Sequence, residues 1–194
     1  YNRGVLKNTL KDYKGAIADF TKAIELNPDY ALAYYNRGVL KNTLKDYKGA
    51  IADYTKAIEL NPDYASAYNN RGVLKNTLKD YKGAMVDYTK AIELNPDYVN
   101  AYNNRAISKK NLKDYKGAIA DYTKAIELNP DDAHFYHDRG VLKSTLKDYK
   151  GQMADYTKAI ELNPDYASVY YYRGILKKNL KDYKGAIADY TKAI

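Results

Sequence analysis

The chain contains no cysteine, which removes disulfides and thiol nucleophiles but does not fix a compartment. Histidine is nearly as scarce, with only His134 and His137, and both fall in one short segment. No apolar run is long enough to span a membrane, and no linker or low-complexity tract interrupts the sequence. No leader segment is visible; because Tyr1 falls inside a helical pattern, that silence carries little weight. The excess positive charge is spread thinly. A full repeat such as Ala31–Tyr64 carries Arg37, Lys41, Lys45, Lys48 and Lys56 against Asp46, Asp53, Glu59 and Asp63, so the net +8 accumulates along the chain without forming a patch. That distribution is a poor electrostatic footprint for nucleic acid, and no nucleic-acid or membrane partner is expected.

What the chain does have is a period. Prolines stand at 28, 62, 96, 130 and 164, and Ala31–Tyr64 differs from Ala65–Tyr98 only at Leu32/Ser66, Tyr35/Asn69, Ile51/Met85 and Ala52/Val86. A 34-residue period predicts stacked units that bury their apolar faces against neighbours, so residues 1–194 are expected to form one array. Its units are 31–64, 65–98, 99–132 and 133–166, with partial units 1–30 and 167–194.

Within one unit, Ala50, Ile51, Tyr54, Ala57 and Ile58 form a single stripe at helical period. Asp46 is placed to cap that helix and Pro62 to stop it. The first half, Ala31–Leu44, offers Tyr34, Gly38, Leu40 and Leu44 as inward candidates. Small residues at Gly38 and Ala50 face each other across the hairpin and let the helices approach closely. Folding about Lys45–Asp46 sets Arg37 opposite Asp53. The Arg3, Arg37, Arg71, Arg105, Arg139 and Arg173 column is therefore expected to pair with Asp19, Asp53, Asp87, Asp121, Asp155 and Asp189.

The columns Tyr34, Gly38, Ala50, Tyr54, Ala57 and Pro62 resemble the tetratricopeptide repeat family along the whole chain. The resemblance implies an all-α fold, a right-handed superhelical solenoid of antiparallel helix hairpins, with first helices lining a concave groove. Arg37 and Lys41 depart from the pattern, standing where the family usually has apolar residues. Some family members grip a C-terminal carboxylate with a lysine and an asparagine; the corresponding columns here hold Tyr35 and Val39, so chaperone tails are not expected.

Differences between copies gather on one face of the first helix, three to four residues apart. The candidate ligand-binding residues are Tyr35, Asn36, Asn69, Asn70, Asn100, Asn103, Asn104, His134, His137, Asp138, Tyr171, Tyr172, Lys110 and Lys178. Such side chains suit an extended peptide or partner segment, since they hydrogen-bond a backbone and offer stacking area at low entropy cost. His134, His137 and Asp138 have helical spacing compatible with a metal, but polar surface drift is the commoner cause, and no metal or cofactor is expected. No serine or cysteine nucleophile has a histidine partner, so the reading is a non-enzymatic scaffold. The alternative is a structural solenoid stacking head to tail. It is motivated by a start four columns into a first helix, an end six columns short of a full repeat, and no polar capping helix at either end. Gln152, in the place of Ala50, is expected to loosen its hairpin or turn outward.

Overall fold

The computed structural model describes all of residues 1–194 and contains only helices. In chain order these are α1 (Asn2–Thr9), α2 (Tyr13–Leu26), α3 (Ala31–Thr43), α4 (Tyr47–Leu60), α5 (Ala65–Thr77), α6 (Tyr81–Leu94), α7 (Val99–Asn111), α8 (Tyr115–Leu128), α9 (Ala133–Thr145), α10 (Tyr149–Leu162), α11 (Ala167–Asn179) and α12 (Tyr183–Lys192). They pack as consecutive pairs, and contacts group them into two compact units, Tyr1–Ala101 and Tyr102–Ile194.

Each second helix begins as its sequence requires. Asp46 accepts a hydrogen bond from the Gly49 amide at 3.0 Å, and Asp148 does the same for Gly151 at 2.9 Å. At its far end Asn61 leaves the helix in an extended conformation, and its side-chain oxygen accepts from the Asp63 amide at 3.2 Å. The hairpin turn is less expected. Lys45 sits at φ 63°, its amide donating to the Asn42 carbonyl at 2.9 Å while the Asp46 amide donates to Lys41 at 2.8 Å. This is the Schellman closure, in which glycine is the usual left-handed residue; here all six copies use lysine.

In the Tyr1–Ala101 unit the core is built between repeats. Leu40 packs on Ala16 and Phe20 of the preceding hairpin, and Leu74 on Ala50 and Tyr54. Leu40 is 2% exposed whereas its counterpart Leu6 in α1 is 65% exposed. Gly38 permits the close approach seen here, because a Cβ there would lie 2.8 Å from the Tyr54 ring and push it aside. Leu44, expected to point inward, is exposed: it is the cap residue where the chain leaves α3. Ala33, an alanine too small to stand out, is fully buried instead.

The Tyr102–Ile194 unit repeats this plan with substitutions. Ala106 replaces the glycine and Ser108 the leucine of their columns, and both are fully buried. Phe135 and Val169 take the place of Ala33, both buried. Gln152 does not turn outward. It is buried, its amide donates to the Tyr156 hydroxyl at 3.4 Å, and α9 and α10 remain packed together. A glutamine can stay inside because Tyr156 is one turn along the same helix, but its side-chain oxygen has no hydrogen-bond partner.

Candidate functional site

The expected ion pair forms in every repeat. Arg37 Nε and Nη2 grip the two Asp53 oxygens at 2.9 and 2.7 Å, and the same fork joins Arg3, Arg71, Arg105, Arg139 and Arg173 to their aspartates. Lys41 then adds its ammonium to Asp53 Oδ2 at 2.8 Å. Both departures from the family pattern, Arg37 and Lys41, thus converge on one buried carboxylate. The signal was present, because Arg37 and Lys41 are four residues apart and share a helix face. Arg37 also donates to Thr21 of the preceding repeat at 3.1 Å and lies over the Tyr34 ring at 5.5 Å, so one side chain ties two hairpins. The Arg3 guanidinium holds the Asp19 carboxyl down to about 2. Burial pushes Asp189 upward, but Arg173 and Lys177 outweigh it and leave it below its usual value.

This framework holds the first helices in place, and the variable columns lie on them. In the Tyr1–Ala101 unit they form a ladder between repeats. The Asn36 amide donates to the Tyr1 hydroxyl at 2.6 Å and Asn70 to Tyr35 at 3.1 Å. The Tyr35 ring wedges between Tyr54 and Tyr64, with centroids 5.8 and 4.7 Å away, which leaves it half-buried. Asn69 is 5% exposed and donates to Asn70 at 3.2 Å, whereas Asn100 is open to solvent. Burial first, then Tyr35 and Tyr1, push the Tyr64 phenol up to about 12.

In the Tyr102–Ile194 unit the same columns hold a different cluster. His134 Nδ1 lies 2.6 Å from the Tyr166 hydroxyl, and His137 Nδ1 lies 3.0 Å from Asp138. Because the two imidazoles take different partners, His134, His137 and Asp138 do not converge as a ligand set for a metal. The His137 ring stacks on Tyr156 at 6.2 Å and packs against Tyr166 and Tyr172 at 5.6 and 5.7 Å; Tyr171 meets Tyr172 edge-on at 5.6 Å. The Tyr122 hydroxyl donates to Asp138 at 3.3 Å. Asn103 and Asn104 are half-buried, and Lys110 and Lys178 are exposed. Tyr156 and Tyr166 were not anticipated as part of this face, since Tyr156 belongs to a second helix and Tyr166 to the turn before α11. A separate depression of about 770 Å³ on α10, lined by Tyr149, Met153, Ala154, Thr157 and Leu180, includes none of the variable columns.

With this geometry in view, tetratricopeptide repeat models match residues 31–64, 65–98, 99–132, 133–166 and 155–188, and a TPR repeat model matches 9–43. The chain belongs to the tetratricopeptide repeat family, whose members are typically non-enzymatic interaction scaffolds. No curated protein matches it. Among solved structures it is similar to YrrB, described as a TPR protein with an unusual peptide-binding site, at 26% identity and TM-score 0.79 over 90% of each chain. It shares its fold with Pseudomonas aeruginosa pilF, at 20% identity and TM-score 0.82 over 97% of this chain and 86% of that one. The same holds for the C-terminal part of a Cytophaga hutchinsonii TPR protein, at 18% identity and TM-score 0.86 over 100% and 77%.

Proposed function

We propose that the chain is a non-enzymatic scaffold that binds an extended peptide or partner segment along the face of its first helices. The observation that carries this reading is the contrast between columns: the Arg–Asp–Lys framework is the same in all six repeats, while the residues that differ gather on the first-helix face. That face combines exposed ring area with amide and imidazole groups, a chemistry suited to a peptide backbone. YrrB's described peptide-binding site supports the ligand class. The test is selection from a random decapeptide library, followed by titration of the selected peptide against wild type and an Asn100→Ala, His134→Ala, Tyr171→Ala variant. These three side chains are exposed, so stability is expected to hold while affinity falls at least about tenfold. Equal affinity for both proteins contradicts the reading.

Head-to-tail stacking is a second reading, favoured by one packing observation. Leu6 is the exposed counterpart of Leu40, and the half-buried Tyr190 is the counterpart of the Phe20 that Leu40 covers. A second copy offering Leu6 to that surface would reproduce the register found between repeats. Light scattering of residues 1–194 over a hundredfold concentration range is the check: growth in mass supports stacking, and a constant monomer removes it.

A further inference from the structure

The cluster on α9 and α11 has a property that the Tyr–Asn ladder of repeats two and three lacks: a carboxylate beside aromatic rings that no arginine or lysine pairs with. Asp138 stands where the earlier repeats have Asn36, Asn70 and Asn104. Its partners are His137 Nδ1 and the Tyr122 hydroxyl. Four cations of the same two first helices are committed elsewhere, Arg139 and Lys143 to Asp155 and Arg173 and Lys177 to Asp189.

Beside Asp138 the rings of Tyr166, His137, Tyr172 and Tyr171 follow one another at 5.6–5.7 Å between centroids. Tyr171 and Tyr172 are 51% and 41% exposed, so part of this aromatic surface faces solvent. Beneath lies Tyr156, stacked under His137 and bonded to the buried Gln152, whose side-chain oxygen is unpaired, as is His137 Nε2. Burial first, then the Asp138 and Asp132 carboxylates, raise the Tyr166 phenol. Ring faces attract cations through their quadrupole, and a nearby carboxylate adds a charge that water only partly screens.

We infer that His137, Tyr166, Tyr171 and Tyr172, with Asp138 beside them, form a subsite for one cationic side chain, a lysine or arginine of the bound peptide. The ligand's identity rests on the peptide-scaffold reading; the cation preference rests on the cluster alone. An acidic or neutral side chain has no equivalent partner there, so the subsite sets the register of a basic residue along α9 and α11.

The test uses two probes with the same aliphatic stem, N-acetyl-lysine N-methylamide and its norleucine counterpart that lacks the ammonium, titrated into the intact chain and followed by NMR of the tyrosine and histidine side chains. The lysine probe is expected to shift Tyr171, Tyr172 and His137 in a saturable way, with affinity about fivefold above norleucine. In Asp138→Asn the preference should fall below about twofold; the fold is expected to tolerate this change because asparagine occupies the same column in four other repeats. Tyr172→Asn, another residue found in that column, should weaken the lysine probe and leave thermal unfolding near wild type. Equal affinities for the two probes, or an undiminished preference in Asp138→Asn, overturn the inference. A lysine preference at this cluster without any selected peptide binding sinks the scaffold reading and keeps this one. Peptides that bind with no preference for a basic residue do the reverse.

Discussion

Repeats two and three, Ala31–Tyr98, and repeats five and six, Ala133–Ile194, present the same framework to different ends. In the first pair, the Asn70 amide donates to the Tyr35 hydroxyl in a ladder between hairpins, and Asn69 is buried. In the second pair, the same columns hold His137, Asp138, Tyr171 and Tyr172, which leave a carboxylate and two half-open rings. Beneath both, an arginine and a lysine hold one buried aspartate with nearly the same distances. The contrast separates what a repeat needs in order to stack from what it is free to vary. Stacking depends on the charge triad, the inter-repeat leucine and the small-residue contact; none of them lies on the variable face.

The largest expected effect tests whether the framework is equal in the two regions. Asp87, 1% exposed, faces two cations that lose their partner if it is removed. Asp87→Ala and Asp155→Ala should each destabilise by about 3–5 kcal/mol in chemical denaturation, because breaking a buried pair leaves uncompensated charge. Asp19→Ala should cost far less, since Arg3 is 78% exposed and free to hydrate. Unequal losses at Asp87 and Asp155 would break the comparison.

Alkaline pH strikes both regions through the buried phenols. Burial first, then neighbouring tyrosines, raises Tyr64 from 10.0 to about 12, and burial likewise raises Tyr54, Tyr88 and Tyr156. A raised phenol stabilises the fold fully below pH 10, and that contribution disappears as pH rises towards the folded value, near 12 for Tyr64. Stability measured by denaturant midpoints should therefore decline steadily above pH 10. Tyr54→Phe should flatten the decline while folding normally, since Phe20 already serves in that column.

A smaller effect sharpens the difference at repeat five. Gln152→Ala restores the residue of Ala50 and removes a buried amide oxygen that has no partner. It should stabilise by about 1–2 kcal/mol, read as a shift in the denaturation midpoint. The smallest effect applies equally everywhere. Lys45→Gly or Lys147→Gly relieves a left-handed lysine at φ 63° or 61° and should add about 0.5–1 kcal/mol, the backbone relief being partly offset by the greater freedom of glycine when unfolded.

Much of the fold was legible because the period places columns against each other. Arg37 and Asp53 could be paired by folding one hairpin, and Asp46 and Pro62 mark helix ends by local chemistry alone. Leu44 misled because periodicity does not show where a helix stops. The Schellman turn was hidden because lysine is no turn signal, and the second grip on Asp53 because Lys41 resembles a surface charge. The candidate face was legible as a set of variable columns but not as a cluster. His134 meets Tyr166 thirty-two residues away, a spacing that matches neither a helix turn nor the 34-residue period, so only packing reveals it.

The central claim is that ligand contacts fall on the first helices while the second helices serve the framework. It is tested most directly by NMR shift mapping of residues 1–194 with a peptide selected from a random library. The account predicts shifts concentrated on α9 and α11, at His134, His137, Asp138, Tyr171 and Tyr172. Shifts concentrated on α10 and α12, around Met153 and Ile187, would contradict it.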